Sequence, residues 1–419
     1  MQARSRLNFG WAVVGASAVG LALSGAPVVV YSFGIFLPSL ASEFHAGRGA
    51  ISFAFTLHNL VGAVVAPLVG RAADRYGARP VVMLGSTLLG LMGFAALAIG
   101  PHLMQLYVFY AALGIGTIST SPIAYGILIA RWFDGRRGLA LGLMMTGLGL
   151  SAIITPPVVR ALIANFGWRE TFAIYGIAVL LVALPVVAIL LREPDGETRA
   201  RRGLLPVQRG GAPGTPWSEI WRHKDFRIMF AAFFIAGAAV HACALHMPEI
   251  LTDRGVALYV AALASSVTGA AVLVGRIGSG VILDRRFGPS VAIGFFALAA
   301  LGFLLLAVSS NPSIAVFAAF LVGLSFGAEV DLIGFLLSRY FGLRALGTAF
   351  GVMFGAFVLA GGIGPFLMGM GFDETGSYRV PLLGFLLAML IATALMSLLG
   401  AYRYGVARKD DRPVEAAAV

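Results

Sequence analysis

An arginine lies inside an apolar stretch of the sequence. The stretch is AVLVGRIGSGVILDRRFG, residues 271–288, and Arg276 is its first charged residue. Placing a charged side chain at the centre of a bilayer costs about 2.5–3.5 kcal/mol on insertion scales. A guanidinium offers parallel hydrogen bonds that match a carboxylate, so Arg276 predicts an anion-binding group. The alternative interpretation is a structural ion pair within the membrane.

Two acids lie in a second apolar stretch, SFGAEVDLIGFLLSRYFG, as Glu329 and Asp331. Asp331 precedes Arg339 by eight residues, and Arg276 precedes Asp284 by the same number. At about 1.5 Å per residue, Asp331 and Arg276 each lie about 12 Å inside the end of a helix. A carboxylate at that depth can pair with Arg276 in the empty site and release it on protonation, which couples a proton to an anion. A static ion pair is the alternative.

Further candidates carry uncharged polar groups, namely hydroxyl, phenol or imidazole groups. The motif GTISTSPIAYG places several hydroxyls near the middle of one apolar stretch, although such hydroxyls also bond back to helix carbonyls. The candidates for substrate contact besides Arg276 are Tyr31, Ser119, Ser121, Tyr125 and Thr146. The candidates for proton coupling are Asp331, Glu329 and His246.

Composition indicates which elements must position these residues. The chain has 419 residues, of which 59% are hydrophobic and 12% charged, whereas soluble domains contain about 25% charged residues. Apolar runs of about 20 residues recur between short polar links, which is typical of membrane-spanning helices. The sequence predicts an all-α membrane protein with twelve transmembrane helices. The expected spans are 9–37, 50–70, 79–100, 104–131, 138–164, 168–191, 227–250, 257–283, 289–308, 312–338, 345–371 and 379–403.

The distribution of charge predicts the topology. The net charge is +11, and arginines cluster after the second, fourth, sixth, eighth and tenth spans. Basic loops remain in the cytoplasm, so both termini are expected inside, in a multi-pass protein of a bacterial cytoplasmic (inner) membrane. This pattern argues against a nucleic-acid partner, since the basic residues lie in the loops after alternate spans and do not form one basic surface.

Two motifs occur twice at nearly constant offset. GRAADRYG (70–77) matches GSGVILDRRFG (278–288) at an offset of 210, and RWFDGRRGLALG (131–142) resembles RYFGLRALGTAFG (339–351) at 208–209. The repeat divides the spans into two pseudo-symmetric six-helix bundles, and repeat-built transporters bind their substrate between the halves. The expected divisions are an N-terminal bundle (1–191), a cytoplasmic linker (192–224), a C-terminal bundle (225–404) and a cytoplasmic tail (405–419). A short amphipathic helix is expected in TPWSEIWRHKDFR (215–227), which leads from the linker into the seventh span.

The first repeated motif predicts a conformational latch. Its glycine permits close helix contact, and its aspartate follows a helix C-terminus, where the helix dipole disfavours negative charge. The aspartate therefore needs a partner, such as a loop arginine or the N-terminus of a neighbouring helix. The six residues concerned are Gly70, Asp74, Arg75, Gly280, Asp284 and Arg285.

The chain resembles the major facilitator superfamily over nearly its whole length. Gly70, Asp74, Arg75 and Gly77 match the signature of that superfamily in the loop between helices 2 and 3. WFDGRRGLALGLMMTG, in the fifth span, resembles the helix-5 signature of the monocarboxylate porter family, near the oxalate–formate antiporter group. Thr146 departs from that signature, which usually has small alanines there.

This resemblance implies a role for Arg276. An arginine in helix 8 binds the substrate carboxylate in the monocarboxylate porter family, and Arg276 is at the position that resembles it. Some members carry an aspartate one turn earlier, where this chain has Val272. Relatives that exchange oxalate for formate are expected to use a basic residue in helix 11, and the span 345–371 has none. A monocarboxylate is therefore expected.

The sequence thus predicts a secondary active transporter that moves a small organic monocarboxylate by alternating access with proton symport. No glycine precedes Lys224 or Lys409, so a phosphate-binding Walker loop is excluded and the energy must come from a gradient or an exchanged solute. We expect no enzymatic activity, metal or cofactor, and a monomer whose partners are a small carboxylate anion, a proton and the lipid bilayer. The alternatives are a carboxylate exchanger, an exporter of drugs or sugars, and a non-transporting receptor.

Overall fold

The computed structural model describes residues 2–194, 214–253 and 256–404. These residues contain twelve helices that are long and apolar enough to cross a membrane, which confirms the expected number of spans. The linker arginines in 195–213 and the tail 405–419 lie outside the described residues.

Three of the first six spans are interrupted helices. The first span breaks around Pro27, the fourth breaks at Ser121 before Pro122, and the sixth contains a π-helical turn. The N-terminal spans comprise Gln2–Ala22 with Ala26–Val30 and Phe33–Glu43, Arg48–Tyr76, Ala78–Ala95 with Ala96–Ala98, Leu103–Ser119 with Pro122–Trp132, Arg137–Phe166, and Trp168–Ala178 with Val179–Ala183 and Leu184–Leu190.

The last six spans are continuous helices. They comprise Lys224–Thr252, Leu258–Leu283, Gly288–Val308, Pro312–Phe341, Leu346–Thr375 and Arg379–Ser397. The short amphipathic helix before them occupies only Trp217–Ile220. The seventh span begins soon after it, where the imidazole of His223 caps the helix by accepting a hydrogen bond from the Asp225 amide.

Glycines bring the two bundles together at the end of the molecule that carries the basic loops, here called the basic end. An added Cβ at Gly70 would meet the carbonyl of Gly347, and an added Cβ at Gly138 would meet the carbonyl of Gly280. The second span therefore crosses the eleventh, and the fifth crosses the eighth, at backbone contact. The bundles are thus closed against each other at the basic end.

Candidate substrate cavity and its gate

A cavity of about 640 Å³ lies between the bundles. The first, second, fourth and fifth spans line one side, and the seventh, eighth, tenth and eleventh spans line the other. Leu245 is 64% exposed and lines the cavity near the far end of the seventh span, so the cavity opens away from the basic end. A cavity between the two halves, beside interrupted helices, is typical of repeat-built transporters.

Arg276 lines this cavity with a buried guanidinium. Its residue is 8% exposed, and its Nε and Nη1 atoms have no hydrogen-bond partner among the described residues. Desolvating a charge without a partner costs several kcal/mol. The arrangement can therefore bind an anion that enters the cavity, since a carboxylate carries the opposite charge and accepts hydrogen bonds from a guanidinium.

Close packing fixes the backbone beneath Arg276. An added Cβ at Gly142 of the fifth span would lie 2.5 Å from the Arg276 carbonyl oxygen. The matching crossing places Gly351 of the eleventh span against the carbonyl of Ala66. These contacts align Ala66 with Arg276, as the sequence repeat predicts.

The two acids do not pair with Arg276 in this conformation. Glu329 is 0% and Asp331 is 2% exposed, and none of their carboxylate oxygens has a hydrogen-bond partner in the described part of the chain. Neither lines the cavity, although Val330 between them does. At about 100° per residue, Glu329 and Asp331 project to either side of Val330. The expectation that these acids pair with Arg276 is therefore wrong for this conformation, although Asp331 remains within its electrostatic reach.

Two of the five uncharged residues that were expected to contact the substrate line the cavity. Ser121 does so where the fourth span is interrupted, and its hydroxyl accepts a bond from the Ile123 amide at 3.5 Å. Tyr31 does so just beyond the break in the first span and is 38% exposed. Both positions lie at a helix interruption.

The other three lie away from it, which corrects the expectation for each. The hydroxyl of Ser119 donates to the Ile115 carbonyl at 2.8 Å, and that of Thr146 donates to the Leu143 carbonyl at 2.7 Å. Both are the back-bonding that helices offer to hydroxyls. Tyr125 is 0% exposed and packs with its hydroxyl against Gly20 of the first span.

His246 also lies outside the cavity lining. Its Nε2 donates to the Pro365 carbonyl at 3.1 Å, and its Nδ1 accepts from the Tyr378 hydroxyl at 3.2 Å. Both ring nitrogens are therefore used in joining the seventh and eleventh spans to the start of the twelfth. The expectation of proton coupling at His246 finds no support in these contacts.

His241 is a cavity residue that the sequence analysis missed. Its Nδ1 donates to the Gly237 carbonyl at 2.7 Å, and its ring packs against Phe326 and Phe357. The repeat offered a signal, because an offset of 210 aligns His241 with Tyr31.

His58 is another histidine of the cavity. It lines the cavity from the second span and bonds through Nε2 to the Thr117 hydroxyl at 3.1 Å.

Each repeated aspartate caps a helix of the opposite bundle. The Asp74 carboxylate accepts from the amides of Gly347 and Thr348, each at 2.7 Å, and from the Thr348 hydroxyl at 2.8 Å. The Asp284 carboxylate accepts from the amides of Gly138 and Leu139 at 2.7 and 2.9 Å. The partner of each aspartate is thus a helix N-terminus, where negative charge is favoured.

Arg75 and Arg285, which follow the two aspartates, do not take part in capping these helix N-termini. Arg75 and Arg285 are exposed, and the Arg75 guanidinium lies 5.2 Å from the ring centroid of Tyr76.

A further link joins the bundles beside them. The Asp134 carboxylate accepts from Arg339 at 2.6 Å and lies 3.2 Å from the Arg137 guanidinium, which itself donates to the Ser338 hydroxyl at 2.7 Å.

Comparisons with known proteins agree with this architecture. Human monocarboxylate transporter 11 is 28% identical over 393 residues, which cover 90% of this chain and 80% of that protein. The uncharacterized MFS-type transporter YhjX of Escherichia coli is 25% identical and covers 78% of this chain and 80% of its own. The solved proton:xylose symporter XylE superposes with a TM-score of 0.74 at 14% identity, covering 93% of this chain and 95% of that chain. That likeness shows the fold alone.

Two pseudo-symmetric six-helix bundles around a central cavity define a membrane carrier rather than an enzyme. The family model described as Major Facilitator Superfamily matches residues 19–365. The chain therefore belongs to the major facilitator superfamily.

Proposed function

We propose that this transporter moves a small organic monocarboxylate across the membrane by alternating access, with proton symport. The observation that carries the proposal is the buried guanidinium of Arg276, a residue that lines the cavity and whose Nε and Nη1 atoms have no hydrogen-bond partner among the described residues. A carboxylate supplies both the negative charge and the paired acceptors that this group lacks.

A single carboxylate is favoured over two. Arg276 is the one charged residue among the described residues that line the cavity. A second carboxylate would enter a largely apolar space without a cation, which is costly at low dielectric. The similarity to monocarboxylate transporters 11 and 13, each at 28% identity, supports the same choice.

Asp331 is the proposed proton carrier, with Glu329 as the second candidate. Asp331 is buried, has neither a donor nor a cation within bonding distance among the described residues, and interacts electrostatically with Arg276. A proton that enters with the substrate would offset the cost of burying this carboxylate while Arg276 is engaged by the cargo.

The gate completes the proposed cycle. Asp74 and Asp284 hold the basic end closed, and opening that end requires both aspartates to leave the helix N-termini that they cap. Positive loops remain in the cytoplasm, so we place the basic end and both termini inside a bacterial cytoplasmic membrane, with this conformation facing outward. The protein would act as a monomer, because the two bundles of a single chain enclose the cavity.

Transport in proteoliposomes tests the anchor. Uptake of labelled lactate and pyruvate should fall about 10- to 100-fold in Arg276→Ala, since hydrogen bonds to charged groups contribute about 1.5–3 kcal/mol. Arg286→Ala, an exposed arginine beyond the same span, is the matched control and should transport normally. Uptake of a neutral drug or sugar that survives Arg276→Ala, without carboxylate transport in the wild type, would instead indicate an exporter.

The proton assignment needs a separate readout. An inward proton gradient should stimulate uptake by the wild type but not by Asp331→Asn, while exchange of labelled for unlabelled carboxylate continues in that variant. Glu329→Gln is the comparison, and loss of stimulation only there would move the role to Glu329. Wild-type uptake that ignores the gradient but requires internal anion would indicate a carboxylate exchanger.

A further inference from the structure

The cavity has an aromatic wall on the side of the C-terminal bundle. The ring of His241 lies 4.6 Å from that of Phe326 and 4.8 Å from that of Phe357, both at steep angles. Phe354 stacks on Phe357 at 6.0 Å and also lines the cavity. We call these four residues the aromatic wall. The rings come from three different spans, so they form a surface rather than a stripe along one helix.

The N-terminal bundle opposes this wall with further rings. Phe33 and Phe55 line the cavity and stack at 4.8 Å, and Phe55 stacks on His58 at 5.9 Å and 8°. Among the described residues that line it, the cavity therefore has ring faces on both bundles and one charged side chain, that of Arg276. Its lining is largely apolar, which favours a cargo with an apolar body.

The size of the cavity bears on its cargo. A volume of about 640 Å³ lies in the usual range for sites that enclose molecules larger than a two- or three-carbon acid. Such an acid bound at Arg276 would leave the ring faces without contact. A molecule with a carboxylate at one end and a planar apolar body would engage both features.

We propose that the cargo is an aryl monocarboxylate, with its carboxylate on Arg276 and its ring against the aromatic wall. This inference rests on the proposed carboxylate function and specifies the rest of the molecule. Aromatic pairs in offset or edge-to-face contact gain stabilisation beyond the burial of their area. The wall supplies both ring faces and ring edges, so it distinguishes an aromatic ring from a saturated ring of similar size.

The test is a comparison of binding to the detergent-purified protein by calorimetry. The probes are phenylacetate, cyclohexylacetate, lactate and benzyl alcohol. Phenylacetate should bind about tenfold tighter than lactate and about threefold tighter than cyclohexylacetate, with little binding of the uncharged benzyl alcohol. Arg276→Ala should weaken binding of phenylacetate and lactate alike.

Variants of the wall locate the effect. Phe326→Leu and Phe357→Leu should each weaken phenylacetate binding about three- to tenfold while leaving lactate binding within about twofold. Phe317→Leu is the matched control, since Phe317 lies on the same span as Phe326, is 53% exposed and does not line the cavity. The melting temperature of each variant verifies folding, and Phe354→Leu replaces any wall variant that fails to fold.

The outcomes separate this inference from the proposed function. Equal affinity for phenylacetate and cyclohexylacetate, or a preference for lactate that depends on Arg276, would overturn the aryl specificity and leave the carboxylate function standing. Carboxylate binding that is unchanged in Arg276→Ala would overturn both. A loss of phenylacetate binding in Phe326→Leu with unchanged lactate binding would support the aryl cargo.

Discussion

The two crossings between the bundles are alike at the basic end and differ near the middle. At the basic end, Asp74 caps the eleventh span and Asp284 caps the fifth with nearly equal distances. About two turns before each aspartate, the carbonyl of Ala66 meets Gly351 and the carbonyl of Arg276 meets Gly142. The same backbone crossing therefore holds an alanine in one half and a buried cation in the other.

This difference separates two demands on a carrier. The gate must open by moving one bundle against the other, and symmetry lets both latches break in one motion. Cargo recognition needs a charge on one side only, because a second cation would repel the first. Since the glycine contacts fix the backbone at both crossings, an alanine and an arginine occupy matching backbone positions.

Placing an arginine at Ala66, the position that matches Arg276, should have the largest effect on stability. Ala66 is 0% exposed, and its Cβ lies against the position of Gly355. Ala66→Arg should therefore destabilise the protein by about 3 kcal/mol or more, because a bulky charge would be buried at a tight contact. Arg276→Ala should keep the wild-type melting temperature within a few degrees. A folded Ala66→Arg protein that binds two carboxylates per chain would show that the crossings are equivalent.

Alanine at the crossing glycines should have the next largest effect and should distinguish the crossings. Gly142→Ala and Gly351→Ala each add a methyl group against a carbonyl, at a cost of about 1–3 kcal/mol. Both should favour opening of the basic end, measured by distances between spin labels across it. Only Gly142→Ala should also weaken carboxylate binding, since it displaces the backbone of Arg276. Equal losses of affinity in both variants would contradict the asymmetric site.

The latch aspartates should show matched, smaller effects. Asp74→Asn and Asp284→Asn each remove a charge that caps a helix N-terminus, a contribution of about 0.3–2 kcal/mol. Both should raise the population open at the basic end by a similar factor, measured by labelling of cysteines placed there. Asp373→Asn, at the opposite end of the eleventh span, is the control. A shift in only one latch variant would show that the gate is not symmetric.

The hydroxyls near the cavity should give the smallest effect. Ser121→Ala should weaken carboxylate binding a few-fold, as expected for one hydrogen bond of about 0.5–1.5 kcal/mol. Ser119→Ala should change it by less than twofold, because that hydroxyl bonds to Ile115 outside the cavity. The ratio of the two dissociation constants checks the placement, and a larger loss in Ser119→Ala would reverse it.

Local and periodic features were predictable from the sequence. Hydropathy gave twelve spans, and the ninth was expected at 289–308 and lies at Gly288–Val308. The repeat aligned Ala66 with Arg276, and the distance from Arg276 to Asp284 placed the guanidinium deep in the bundle. These properties depend on the length and rise of helices and on a constant offset, which a single chain records directly.

Tertiary structure alone decided which faces meet. Ser119 and Ser121 are two residues apart, yet only Ser121 reaches the cavity, because it continues the helix face of Thr117 and Ile118, which also line it. The aspartates found helix N-termini in the opposite bundle, and the aromatic wall assembled from three spans. Each result depends on how helices rotate and cross, and neither hydropathy nor spacing along one chain encodes that rotation.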